Sequence, residues 1–91
     1  MQQENDKIIL FKQIFGKVIK ELRKHNTTCS RTQFAREFDI DRGNLSKIEN
    51  GKLSCSIITV WKISEALGIK FSEFATLLEK ELGEDFKLMD E

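Results

Sequence analysis

The run from Ser30 to Lys52, SRTQFAREFDIDRGNLSKIENGK, constrains this chain more than any other segment. Its apolar residues fall into two short groups separated by Asp39-Ile40, a pattern that fits two short helices joined by a tight turn. The second group is sparse, because in RGNLSKIEN only Leu45 and Ile48 are apolar. Three residues apart, they share one side of a helix, which leaves the other side polar and without anything in the chain's own core to bury. Asn50-Gly51 closes the run, with Gly51 placed to take the left-handed backbone that ends a helix.

The rest of the chain reads as three more helices. From Lys7 to about His25, the residues Ile8, Phe11, Ile14, Phe15, Val18, Ile19 and Leu22 recur at three- and four-residue steps and predict one apolar stripe. The small polar loop HNTTC ends it. A second helix starts at the cap Ser30 and runs to about Phe38, burying Phe34, Ala35 and Phe38. Asp39 has to turn the chain, since it tolerates left-handed backbone better than most residues other than glycine. Asp41 is placed to cap a third helix over Arg42 to about Asn50. Either Ser54 or Ser56 caps a fourth, in which Ile57, Val60, Trp61, Ile63, Ala66 and Leu67 supply the buried side before Gly68. Phe71 to about Leu82 forms a fifth, with Phe71, Phe74, Ala75, Leu78 and Leu82 on one stripe and Leu77 off it. The expectation is an all-α chain folding as a compact five-helix bundle. Residues 11–75 form its working domain, residues 1–10 extend the first helix, and residues 76–91 extend the fifth into an acidic tail.

Ninety-one residues suffice for a single domain with a small core. No apolar run approaches the roughly 20 residues that span a bilayer, and MQQENDKIILFKQIFGK lacks the pattern of a signal peptide, so a cytoplasmic protein without membrane contact is expected. Cys29 and Cys55 are too far apart for a CxxC element and have only His25 to join them, which argues against a metal site. Both positions suit a small half-buried residue. With His25 alone, no Cys–His or Ser–His pairing and no glycine-rich phosphate loop, the chain reads as a non-enzyme with no cofactor and no small-molecule ligand indicated.

Net charge is zero but unevenly spread. Residues 11–52 carry ten Lys/Arg against five Asp/Glu, a net +5, whereas residues 53–91 carry four against eight, a net −4. The basic half coincides with the paired short helices, as an electrostatic footprint for phosphate requires, although ordinary solvated helix faces would give the same count.

Two short helices, a tight turn and a polar second helix amount to a helix-turn-helix, and the residues carry the resemblance further. Phe15-Gly16-x-x-Ile19-x-x-Leu22-Arg23, Phe34-Ala35, LSKIENGK over Leu45 to Lys52, and Ala66-Leu67-Gly68-Ile69 resemble the Cro/repressor-type (XRE) helix-turn-helix domain over roughly residues 15 to 75. The resemblance implies a lambda-repressor-like fold, with the second helix, the turn and the third helix as the DNA reader. It implies that Arg42, Gly43, Asn44 and Lys47 face the major groove, and that Arg31 makes a charge-assisted phosphate contact where the family commonly has Gln. The residues agree, because Arg42, Gly43, Ser46 and Lys47 lie opposite Leu45 and Ile48. Arg42 suits bidentate pairing with guanine, Asn44 the equivalent with adenine, and Lys47 either guanine or a phosphate, while Gly43 permits close approach. Ser46 and Lys52 are the further phosphate-contact candidates. The family often pairs an Arg late in the first helix with a Glu late in the third, here Arg23 and Glu49. Such a pair either locks the two helices together from a partly buried position or consists of two exposed ions of small effect. The departures are a loop before Ser30 one residue longer than usual, Asp39 for the usual turn glycine, and Cys55 where Pro is frequent.

The reading is therefore a sequence-specific regulator of transcription that binds double-stranded DNA as a homodimer on a two-fold-symmetric operator. Leu77, Leu82, Phe86 and Met89 are expected to form the dimer surface, being apolar beyond what the core needs. The rival is a protein-contact or antitoxin-like module whose acidic residues 53–91 engage a basic partner.

Overall fold

Local chemistry sets where each helix begins and ends. The computed structural model describes residues 6–89 and contains α1 (Asp6–Asn26), α2 (Arg31–Glu37), α3 (Arg42–Glu49), α4 (Ile57–Ala66) and α5 (Phe71–Leu82). Residues 1–5 and 90–91 of the two expected extensions lie outside the described residues. Ser30, Asp41 and Ser56 each have extended backbone and accept a hydrogen bond from the N–H three residues on, which satisfies a donor that the helix leaves free. Of the two serines available before α4, Ser56 is thus the cap. At α5 the Glu73 carboxylate reaches back to the Lys70 N–H at 3.3 Å.

The ends are equally local. Asp39 turns the chain with φ 54°, and the Ile40 N–H then bonds the Ala35 carbonyl at 2.8 Å, so Ile40 is delivered into the core. Gly51 does the same after α3 with φ 75°, letting the Lys52 N–H bond the Lys47 carbonyl at 2.8 Å.

Packing joins α1 to α3 and α5, α2 to α3, and α4 to α5. Ile19, Phe34, Leu45, Ile48, Ile63 and Phe74 form the fully enclosed centre, with Phe15 meeting Phe74 edge-on at 5.7 Å between ring centroids. Gly16 sits where α1 crosses the end of α3. A Cβ there would run into the Ile48 carbonyl oxygen and lie 2.9 Å from that of Glu49, so the close approach of the two backbones depends on glycine. The Asn26 side chain ties the far end of α1 to the end of α4 by donating to the Leu67 carbonyl at 3.1 Å.

Three residues expected inside are not. Phe38 rests its ring on Phe34 but stays exposed, because α2 ends at Glu37 and no later element covers it. Ile57 and Trp61 are 65% and 53% exposed, beside Ile58 at 69%. The helix α4 is apolar around much of its circumference, and its neighbours bury only the side bearing Val60, Ile63, Ser64 and Ala66. Trp61 stacks on Phe71 instead, with centroids 5.5 Å apart. Phe86 turns back to lie 6.2 Å from Phe11, so the segment after α5 covers its own chain. Among the described residues, no helix is long and apolar enough to cross a membrane.

Both cysteines are free and half-buried at the edge of the core. Burial pushes the Cys55 thiol up to about 11 from an ordinary 9.0. Because the folded state holds this proton more tightly, the associated stability is complete below about pH 9 and is lost as pH rises toward 11. At pH 8 the folded protein should carry roughly 100-fold less Cys55 thiolate than the unfolded chain. Site-resolved iodoacetamide labelling by mass spectrometry should show native Cys55 modified slower by that order, and equal rates in native and denaturing buffer would contradict it.

Candidate nucleic-acid interface

The polar side of α3 is built from its cap outward. The Asp41 carboxylate accepts the Asn44 N–H at 2.8 Å, fixing the first turn, while Leu45 and Ile48 are buried and anchor the helix from beneath. Arg42, Gly43, Asn44 and Lys47 are consequently all exposed on one continuous surface. The side chains of Arg42, Asn44 and Lys47 have no hydrogen-bond or ion-pair partner within the described residues. A Cβ on Gly43 would lie 3.3 Å from Asp41 Oδ1, a close contact with the capping carboxylate. Lys52 is exposed just beyond α3.

Beneath this surface lies a network of two arginines and one carboxylate. Arg23 donates from Nε to Glu49 Oε2 at 2.8 Å and from Nη2 to Glu49 Oε1 at 2.9 Å, with Nη1 reaching the Cys29 carbonyl at 3.1 Å. The two side chains are 7% and 0% exposed, so this is an interior pair joining α1 to the end of α3. The hydrogen bonding that Arg23 donates to the Glu49 carboxylate raises the Arg23 pKa above its ordinary value, with burial acting in the opposite sense. Arg31, the first residue of α2, shares the same carboxylate, donating from Nε to Glu49 Oε1 at 3.1 Å and from Nη1 to Ser46 Oγ at 3.2 Å. Its side chain remains 31% exposed.

Nothing in the sequence joins Arg31 to Ser46 and Glu49. The spacing of Ser46 and Glu49 places both on one side of α3, which was the available signal. That Arg31 meets them depends on the angle between α2 and α3, which local sequence does not carry. Leu77 and Met89 are exposed, and Leu82 and Phe86 are half-buried.

Comparison with known proteins agrees with this geometry. A family model described as Helix-turn-helix (HTH_3) matches residues 19–74. The chain is 46% identical over 67 residues to the control protein C.MunI of a Mycoplasma species, covering 74% of this chain and 90% of that protein. Among solved structures, the HTH_3 family transcriptional regulator from Vibrio cholerae superposes with a TM-score of 0.67 at 31% identity, over 77% of this chain but only 39% of that one. The restriction-modification controller protein C.AhdI from Aeromonas hydrophila does so with a TM-score of 0.63 at 27% identity, over 68% of this chain and 92% of that one. With α2, the Asp39 turn and α3 all inside the matched region, the chain belongs to the XRE-type helix-turn-helix (HTH_3) family.

Proposed function

We propose that this protein is a DNA-binding transcriptional regulator of the restriction-modification control type, which occupies a two-fold-symmetric operator as a homodimer. The observation that carries the reading is the exposed surface of α3, on which the side chains of Arg42, Asn44 and Lys47 have no partner among the described residues and Gly43 is exposed beside them, while Leu45 and Ile48 anchor the helix from below. The similarity to C.MunI over 90% of that protein supports the control-protein assignment. In this reading Arg42 takes guanine O6 and N7, Asn44 adenine, and Lys47 a guanine or a phosphate, with Arg31 and Lys52 on the backbone.

Selection from a random duplex pool at about 150 mM salt tests it, because nonspecific binding is weakened there. The expected result is a symmetric motif whose half-sites lie about 34–36 Å or a multiple apart. Arg42→Ala should relax one position per half-site, at a cost of about 1–3 kcal/mol per lost base contact. A pool without any motif, retained by a folded protein, would refute the operator reading.

The dimer surface in this proposal is α4 rather than α5. Ile57, Ile58 and Trp61 are three large apolar residues more than half exposed at neighbouring positions of α4, and Phe71 extends this surface through the stacked indole. Of the residues first expected to dimerise, Phe86 is instead occupied by Phe11. A second copy of the chain is the occupant that a two-fold operator demands. At micromolar concentration the wild type should sediment as a dimer. Ile58→Asp should shift it to monomer with dimer affinity reduced about 100-fold, corresponding to about 3 kcal/mol for a carboxylate placed in an apolar contact. Leu77→Asp should leave the dimer intact, and the opposite pattern would restore α5 as the interface.

A further inference from the structure

We propose that Ser46 and Glu49 are positioning residues that hold the Arg31 guanidinium as a preformed clamp for one DNA phosphate per subunit. The proposal rests on the operator reading above and adds to it how one backbone contact is built.

Charge is the first ground. Glu49 is a single carboxylate held between two guanidiniums, and Arg23 already engages both of its oxygens. The helix-to-helix lock is therefore complete without Arg31, whose arrival leaves one positive charge unbalanced. That surplus resides on the only member of the trio with substantial exposure, since Arg23 and Glu49 are 7% and 0% exposed. An anion at the surface of α2 is what would balance it.

Geometry is the second ground. Arg31 uses Nε on Glu49 and one hydrogen of Nη1 on Ser46, which fixes the plane of the guanidinium. Nη2 and the second hydrogen of Nη1 have no partner among the described residues; one Nη2 hydrogen lies on the Nε side that faces Glu49, and the other points outward from the end of the guanidinium. A planar donor edge with its rotation already restrained matches a phosphate bidentately and loses little freedom on binding. Ser46 thus acts through Arg31, with its hydroxyl oxygen engaged as an acceptor, instead of touching DNA directly.

The test avoids Glu49, whose removal would unbalance the interior, and uses Ser46 variants of the intact protein with the selected operator duplex. Ser46→Ala should stay folded, with a melting temperature within a few degrees of wild type, and weaken operator binding about 3- to 10-fold, as loss of one partly exposed hydrogen bond implies. Ser46→Thr, which keeps the hydroxyl, should restore affinity. Arg31→Ala should lower the slope of log affinity against log salt by about 0.9 per subunit. Arg31→Lys should lose nearly as much affinity as Arg31→Ala, because an ammonium cannot be held as a fork. In the Arg31→Ala background, Ser46→Ala should have no further effect. A persisting effect there would mean that Ser46 meets DNA itself, and full activity of Arg31→Lys would mean that a point charge suffices. Either result overturns the clamp.

A second readout needs no DNA. Side-chain 15N spectra of the free wild type should show slowed rotation about the Arg31 Cζ–Nε bond, released in Ser46→Ala. Fast rotation in a wild type that does bind its operator overturns the clamp alone. Failure of the wild type to bind any duplex overturns the operator reading and the phosphate role with it, even if Arg31 is held.

Discussion

Gly16→Ala is expected to lower the melting temperature by about 12–24 °C, equivalent to a loss of about 3 kcal/mol or more in a domain of this size. On propensity alone the sign would be reversed, since alanine in the middle of a helix is favoured over glycine by up to about 1 kcal/mol. The tertiary contact decides the sign. The new methyl would collide with the Ile48 carbonyl oxygen and press on that of Glu49, and both obstacles are backbone with no rotamer to yield. Relief would require α1 to move away from α3, separating Phe15, Val18 and Ile19 from Leu45 and Ile48. Because the same shift would tilt the exposed face of α3, operator affinity should fall even at temperatures where the variant stays folded. Thermal denaturation followed by circular dichroism measures the first effect, and an unchanged or higher melting temperature would rule out the close-contact argument.

Glu49→Ala should cost about 3–5 kcal/mol, because it strands the Arg23 guanidinium in the interior with, among the described residues, only the Cys29 carbonyl left to accept from it. Urea denaturation of the variant measures this directly. The informative comparison is the double variant Arg23→Met, Glu49→Leu, which removes the interior charges together and should recover most of the lost stability. It should not recover operator binding, because Arg31 would still lack the carboxylate that orients it. Recovery of both properties at once would show that Glu49 serves stability alone. A single variant as stable as the wild type would show that the buried pair contributes nothing net.

The two predictions depend on different kinds of information in the chain. Helix positions were legible because their causes are local. Ser30 and Asp41 cap within three residues of themselves, and Asp39 and Gly51 take left-handed backbone that neighbouring N–H groups then exploit. The exposed side of α3 was legible for the same reason, since a helix with only Leu45 and Ile48 to bury has one possible inward side.

Where a helix is apolar on more than one side, the sequence offers no such choice. In α4 the residues Ile57 and Trp61 are as apolar as Val60 and Ile63, and only the placement of α4 against its neighbours left the first two exposed. Phe38 stays exposed because its burial needs a covering element that none of the described residues supplies. Surplus apolar surface at Leu77 and Met89 was legible in the sequence, but that at Ile57, Ile58 and Trp61 was not.

By itself, then, the sequence determined the five helices, the caps Ser30 and Asp41, the turns at Asp39 and Gly51, and the polar side that α3 presents, since each follows from hydrogen bonds and periodicity within a few residues. The tertiary structure decided that Gly16 touches α3, that Ile57, Ile58 and Trp61 remain exposed, and that Arg31, Ser46 and Glu49 meet. These depend on distances between residues far apart in the chain, which are set by how whole helices pack and are fixed by no local propensity.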